Sequence, residues 1–194
     1  MYIAIEGIDT AGKSTQIEAL RSNFKNAIIT KEPGATKIGK EIREIVLSAR
    51  AQSKKAEFLL FLADRAEHIK EVIEPNIDSK MIISDRSAVS GVAYAITQGE
   101  ILKEDLVSLN NFATGGCYPE KIFLLRLTKK ELEYRLSQKE LDGIELRGSE
   151  YLLNIQDAII EATQLLGLEL VEIDATLSRE VITEKILNNI NSEK

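Results

Sequence analysis

Five short apolar runs punctuate the chain. Each is followed by a stretch in which apolar residues return every three or four positions. The runs are Tyr2–Ile5, Ala27–Thr30, Met81–Ser84, Lys121–Leu127 and Leu168–Ile173. Short, nearly continuous apolar runs predict strands buried on both faces. The intervening stretches read as amphipathic helices, through Ile17, Leu20 and Phe24 after the first run and Ile38, Ile42, Ile45 and Val46 after the second. A long helix is expected from about Lys55 to Ile77, with Pro75 near its end. Another runs from a Ser149 cap through Leu152, Leu153 and Ile155 to Leu166, and a last one closes the chain. This alternation predicts an α/β fold, a five-stranded parallel sheet flanked by helices. No long linker, repeat or low-complexity tract interrupts it, so the chain reads as a single domain, 1–194.

Local punctuation refines the boundaries. Pro33 and Gly34 make a turn, and Thr36 is expected to cap the helix that follows. Gly115 and Gly116 fall where a helix C-cap belongs. Thr128-Lys129-Lys130-Glu131 superficially resembles a guanine-reading box, but its acid is Glu. Thr128 is read instead as an N-cap with Glu131 as its capping-box partner. The long helix carries two stripes. Phe58, Leu62, Ala66 and Ile69 form an apolar one, suited to the core or to a subunit face. Phe61, Asp64, Arg65 and His68 form the other. An aromatic ring one turn from a guanidinium can stack on a flat base while the Arg donates to it. On spacing alone, Phe61 as core and Asp64 with His68 as a solvated pair is the favoured account, while loop solvation of Lys31 and Glu32 fits as well as a functional role.

Candidate chemistry gathers at strand ends, where ligands of open α/β sheets bind. The first run leads into Gly7-Ile8-Asp9-Thr10-Ala11-Gly12-Lys13-Ser14, which matches G-x-x-x-x-G-K-[ST] between a strand and a helix. These eight residues are the candidate ATP-binding set. Backbone N–H groups and a helix N-terminus there converge on a polyphosphate. Lys13 is expected to reach the β- and γ-phosphates and Ser14 to ligate Mg²⁺. The third strand delivers Asp85 and Arg86. Asp85 stands where a P-loop NTPase keeps its second metal-facing acid, and Arg86 would lie beside the phosphates. The bland alternatives are a ligand-free glycine turn and an Asp N-cap paired with a surface Arg. Residues 135–148 are polar and could form a short lid, with Arg135, Lys139 and Arg147 as its cations.

Composition narrows the partners. Hydrophobic residues make up 44% and charged residues 29% of the 194 positions, ordinary for a soluble globular chain. No apolar run reaches membrane-span length, and the chain enters a strand at once, so neither membrane nor signal peptide is expected. A net charge of −6 argues against nucleic-acid binding. It also requires that the cations facing a polyphosphate be gathered locally. Cys117 is the single cysteine, so no internal disulfide can form and a reducing cytoplasm is expected. The single histidine, His68, cannot build a metal cluster and is given no catalytic role.

Five stretches, in order over nearly the whole chain, resemble the thymidylate kinase family of the bacterial kind. They are Glu6-Gly7-Ile8-Asp9 with the P-loop, Lys31-Glu32-Pro33-Gly34-Ala35-Thr36, Leu60–His68, Ser84–Ser87 through Ser90 and Tyr94, and Phe112–Gly116 before Pro119. The resemblance implies a nucleoside monophosphate kinase-like fold with a short lid, ATP and dTMP as substrates, Mg²⁺ with the ATP, and a homodimer. It implies that Phe61 stacks on thymine and Arg65 donates to a thymine carbonyl. Asp9 would contact the 3′-hydroxyl of dTMP, and Arg86 would lie between donor and acceptor phosphates. Ser90 and Tyr94 would line the nucleoside, with Glu32 among the substrate-binding residues, and Glu145 would be a lid acid. Catalysis would fall to Lys13, Arg86 and Asp9. The chain departs from the family pattern at Lys31, Thr10, Ser87 and Gly143. The readings kept beside this one are a kinase for another nucleoside monophosphate and a P-loop nucleotide switch.

Overall fold

The computed structural model describes residues 1–48, 51–140 and 145–191. Five strands are present: β1 (Tyr2–Glu6), β2 (Ile28–Lys31), β3 (Ile82–Asp85), β4 (Lys121–Arg126) and β5 (Glu169–Asp174). They form one sheet in the order β2-β3-β1-β4-β5, with every neighbouring pair parallel. Each observed strand lies within about a residue of its expected run at either end. The α-helices are α1 (Lys13–Asn23), α2 (Lys37–Leu47), α3 (Lys54–His68), α4 (Ala88–Gln98), α5 (Lys103–Thr114), α6 (Lys129–Leu136), α7 (Ser149–Leu165) and α8 (Arg179–Asn191).

The centre of the sheet carries the core. Every residue of β1 is buried, as are the first five of β4. Ile3, Ile5, Ile83, Phe123 and Leu125 pack against Leu20 of α1, Val89 and Val92 of α4, and Leu152, Ile155 and Ile159 of α7. A smaller cluster of Tyr2, Ile69, Ile73 and Ile82 lies under the end of α3, with half-buried Cys117 packed on it. Burying the sheet centre leaves only its carboxyl edge to offer polar groups to a ligand.

Several caps match the expected chemistry. Thr36 accepts from Gly39 N at 2.9 Å, and Gly115 ends α5 with φ 59°. Thr128 accepts from Glu131 N at 3.3 Å, but Glu131 turns to Arg135 Nε at 2.7 Å and does not close a capping box. Ser149 is not the cap of α7. Gly148 holds that place, and Ser149 Oγ donates to Glu133 instead. The long helix also ends early: regular α-helix stops at His68 and a wider π-turn spans Ile69–Ile73. The ring of Pro75 would meet the Glu71 carbonyl in a regular helix, and the opened turn precedes it. The apolar stripe divides, with Phe58, Leu62 and Ile69 in the core and Ala66 outside it. Ala66 shares the exposed face of α3 with Leu59 and Ala63.

Candidate active site

The P-loop joins β1 to α1 as a tight cradle. Gly7 has φ 152°, and a Cβ there would fall 3.0 Å from the Leu125 carbonyl, so β4 approaches too closely for a side chain. Gly12 turns into α1 with φ 96°. Thr10 adopts φ 67° without being glycine, and its hydroxyl is buried with no hydrogen-bond partner. Lys13 Nζ donates to the carbonyls of Gly7 at 3.0 Å and Ile8 at 3.1 Å, folding the ammonium back on its own loop. Burial, together with the nearby Arg86 charge, pushes its pKa down to about 8, with Asp9 and Asp85 opposing.

Arg86 is the hub of the next layer. Its backbone, at φ 67°, donates to the Ile5 carbonyl at 3.1 Å and holds the residue against β1. Its guanidinium donates to Asp9 Oδ1 at 2.9 Å and to Ser90 Oγ at 3.1 Å. Asp9 also lies 3.7 Å from Lys13 Nζ. Burial would raise the Asp9 pKa, but Arg86 and Lys13 outweigh it and hold the carboxyl low. Behind them Glu6 is fully buried. It accepts hydrogen bonds from Ser87 at 2.8 Å and from Ser90, while burial drives its pKa up. Ser87, a departure from the family pattern, thus both caps α4 and anchors Glu6. Half-buried Tyr94 lies beyond, its pKa pushed up to about 12 chiefly by burial.

A second polar group fills the space between β2, α3 and α5. Arg65, among the largest fully buried side chains, donates from Nε to Glu32 Oε2 at 2.9 Å and from Nη1 to Asn110 Oδ1 at 2.7 Å. Glu32 Oε1 faces His68 Nδ1 at 2.9 Å, and His68 Nε2 meets Thr30 Oγ1 at 2.7 Å. Burial would raise the Glu32 pKa, yet Arg65 and His68 hold it below its usual value. Asp64 accepts from Gly34 N at 2.9 Å, and burial pushes its pKa up to about 6. Asp64 and His68 are therefore not a solvated pair, and Glu32 is not a solvated loop residue. Half-buried Phe61 precedes Arg65 by one turn on the same helix.

A cavity of about 330 Å³ is lined by Ser14, Lys31, Lys40 and Asp85, among others. Asp85 Oδ1 is buried there without a hydrogen-bond partner, and Ser14 is exposed. An orphaned carboxylate oxygen beside a hydroxyl suits a hydrated, oxygen-liganded divalent cation. A second cavity, of about 390 Å³, opens at the carboxyl ends of β4 and β5, between Arg126–Thr128 and Glu172–Asp174.

With this geometry in place, comparison with known proteins is direct. The family model described as thymidylate kinase matches residues 5–186. The chain belongs to the thymidylate kinase family. A thymidylate kinase of Sulfurimonas denitrificans is 73% identical over 191 residues, covering 98% of this chain and 100% of that one. One from Wolinella succinogenes is 54% identical over 188 residues, covering 97% of each chain. The crystal structure of thymidylate kinase from Ehrlichia chaffeensis shares the fold, with a TM-score of 0.74 at 24% identity over 98% of this chain and 97% of that one.

Set in this thymidylate kinase frame, the three lid cations occupy different situations. Arg135 belongs to α6 and is fully engaged, donating to Glu131 at 2.7 Å, to the Thr10 carbonyl at 2.9 Å and to the Ala175 carbonyl at 2.7 Å. Lys139 donates to buried Glu145 at 2.7 Å. Arg147 donates to the Tyr151 hydroxyl at 3.0 Å, and its guanidinium carbon lies 4.9 Å from that ring's centre. The expected lid centre, with Gly143, falls within 141–144, outside the described residues. Lys31 is exposed and lines the cavity with Ser14 and Asp85. Two polar residues given no role from the sequence emerge here. Glu6 was signalled by a charge ending an apolar strand, and nothing local signalled Asn110. His68, on one stripe with Arg65, joins them as a partner of Glu32.

Proposed function

We propose that this chain transfers the γ-phosphoryl of ATP to dTMP, giving ADP and dTDP, with the site residues dividing the work as follows. The P-loop amides from Gly7 to Ser14 hold the donor phosphates, and Lys13 leaves its two loop carbonyls to bind them. Arg86, tied to Asp9 and Ser90, neutralises charge between donor and acceptor. Phe61 stacks on the thymine and Arg65 donates to one of its carbonyls. Tyr94 and Ser90 line the sugar, and Glu145 serves as the lid acid. The acceptor phosphate is already an anion, so no strong general base is required, and catalysis rests on alignment and charge neutralisation. Ser14 and Asp85 would hold Mg²⁺, which when bound supplies positive charge to the β- and γ-phosphate oxygens. The cavity at the ends of β4 and β5 suits the adenine.

The observation that carries this reading is the position of Arg86. One guanidinium reaches both the P-loop acid and the helix whose next residue, Gly91, lies against Arg65. This supports a place for Arg86 between the phosphate cradle and the proposed base pocket. The test is ADP release with dTMP, dUMP, dCMP, CMP and AMP as acceptors. Preference for dTMP is expected, and acceptor-independent hydrolysis would overturn the reading. A homodimer is proposed with it, supported by the large apolar residues that the neighbouring helices α2, α3 and α5 expose, Leu47, Leu59 and Phe112, the last 88% exposed. Sedimentation at micromolar concentration tests it, with a dimer's mass expected. Metabolism of dTMP with ATP implies a cytoplasmic location.

A further inference from the structure

Arg65 is held from three sides, and two residues of the group around it, Asn110 and His68, have no role in the account above. Asn110 is the most informative. Its Nδ2 donates to the Leu106 carbonyl at 2.6 Å within α5. A carbonyl only accepts, so this bond fixes which way round the amide lies and turns Oδ1 toward Arg65 Nη1. On the opposite side, Glu32 only accepts, so His68 Nδ1 carries the proton that reaches it. His68 is itself steadied through Nε2 by Thr30. The guanidinium is thus held at Nε by Glu32, just past β2, and at Nη1 by Asn110 of α5. Its Nη2 faces Gly91, where an added Cβ would lie only 3.0 Å away. A planar fork fixed at two nitrogens has little rotation left.

We propose that Asn110 and His68 are positioning residues that set acceptor-base discrimination by fixing the orientation of the Arg65 guanidinium, and that the bare Gly91 makes room for it. The inference rests on the base-reading role proposed for Arg65. Cytosine keeps the C2 carbonyl but carries an amino group at C4 where thymine has its other carbonyl, so a donor held toward C4 rejects dCMP. A donor free to swing gives up that rejection. Losing a buried hydrogen bond to a charged group corresponds to roughly ten- to a hundredfold in binding.

The test compares steady-state kinetics with dTMP and dCMP for the full chain and five variants. For Asn110→Leu, the dTMP KM is expected to rise about tenfold or more, with the ATP KM unchanged and the dTMP-to-dCMP ratio of kcat/KM falling. His68→Asn, which retains a donor toward Glu32, is expected to preserve that ratio better than His68→Leu. If Asn110→Leu fails to fold, Gly91→Ala presses on the guanidinium from the other side and is expected to give the same split. Discrimination that survives in whichever of these two variants folds overturns the positioning inference, whatever the change in melting temperature. Arg65→Lys separates the two levels of argument. If it leaves dTMP affinity and discrimination intact, the base-reading role itself fails. If it lowers both while the folded Asn110 or Gly91 variant does not, only the positioning idea fails.

Discussion

Arg86 and Arg65 lie one helix position apart, against Ser90 and Gly91 of α4, yet they are held in opposite ways. The Arg86 side chain is 17% exposed, and its main charged partner, Asp9, is 30% exposed. Lys13 beside them is bound to two carbonyls of its own loop and lies 3.7 Å from Asp9. These are contacts that an incoming phosphate can exchange for better ones. The Arg65 side chain is 2% exposed, and its partners come from just past β2 and from α5 across the core. Nothing small can displace them. On the proposed function, charge that must follow a moving phosphoryl group is offered by replaceable contacts, and shape that must distinguish one base from another is offered by fixed ones.

The strongest challenge to this contrast is removal of the cations at the phosphate end. Lys13→Ala and Arg86→Ala are each expected to lower kcat on the order of a hundredfold or more, as for lost transition-state electrostatics. Lys13→Ala should leave dTMP affinity near that of the unaltered chain by calorimetry. Phe61→Ala should act only at the other end, raising the dTMP KM about tenfold or more, as for a lost base–aromatic stack. Retained ATP affinity keeps the two ends distinct, and equal loss of both ligands would merge them.

Acidity offers a gentler probe. Lys13 has its pKa lowered to about 8, so above that pH the nucleotide-free amine is neutral. ATP affinity should therefore decline as pH rises through about 8. Binding near pH 8.5 should take up a proton, visible as a buffer-dependent binding enthalpy. Asp64 gives the smallest effect. Its folded pKa is raised to about 6, so its contribution to stability is present at low pH and is lost as pH rises through about 6. Asp64→Asn should flatten the melting temperature between pH 4 and 7, a change of several degrees. A pH-independent profile in the unaltered chain would remove Asp64 from the account.

The same contrast explains what could be read along the chain. β1 and β4 are visible because strands buried on both faces must be apolar throughout, and the P-loop is visible because eight consecutive residues carry its geometry. The setting of Arg65 is invisible. Its partners Glu32 and Asn110 stand 33 and 45 positions away and only the folded sheet brings them together. Periodicity put Ala66 on one stripe with Phe58 and Leu62, but α3 turns small residues outward beside Leu59 while larger neighbours fill the core. Ser149 was misread because a serine before a helix suggests a cap, whereas Glu133 from α6 claims its hydroxyl.

The folded-back Lys13 has a consequence for the traffic of small anions. Inorganic phosphate, sulfate or chloride entering the loop must break two existing bonds to its only deeply seated ammonium and can offer little in return. A triphosphate brings several oxygens at once and compensates for the exchange. On the proposed function, the resting loop would favour a visitor that carries several charges in a row over a single small anion.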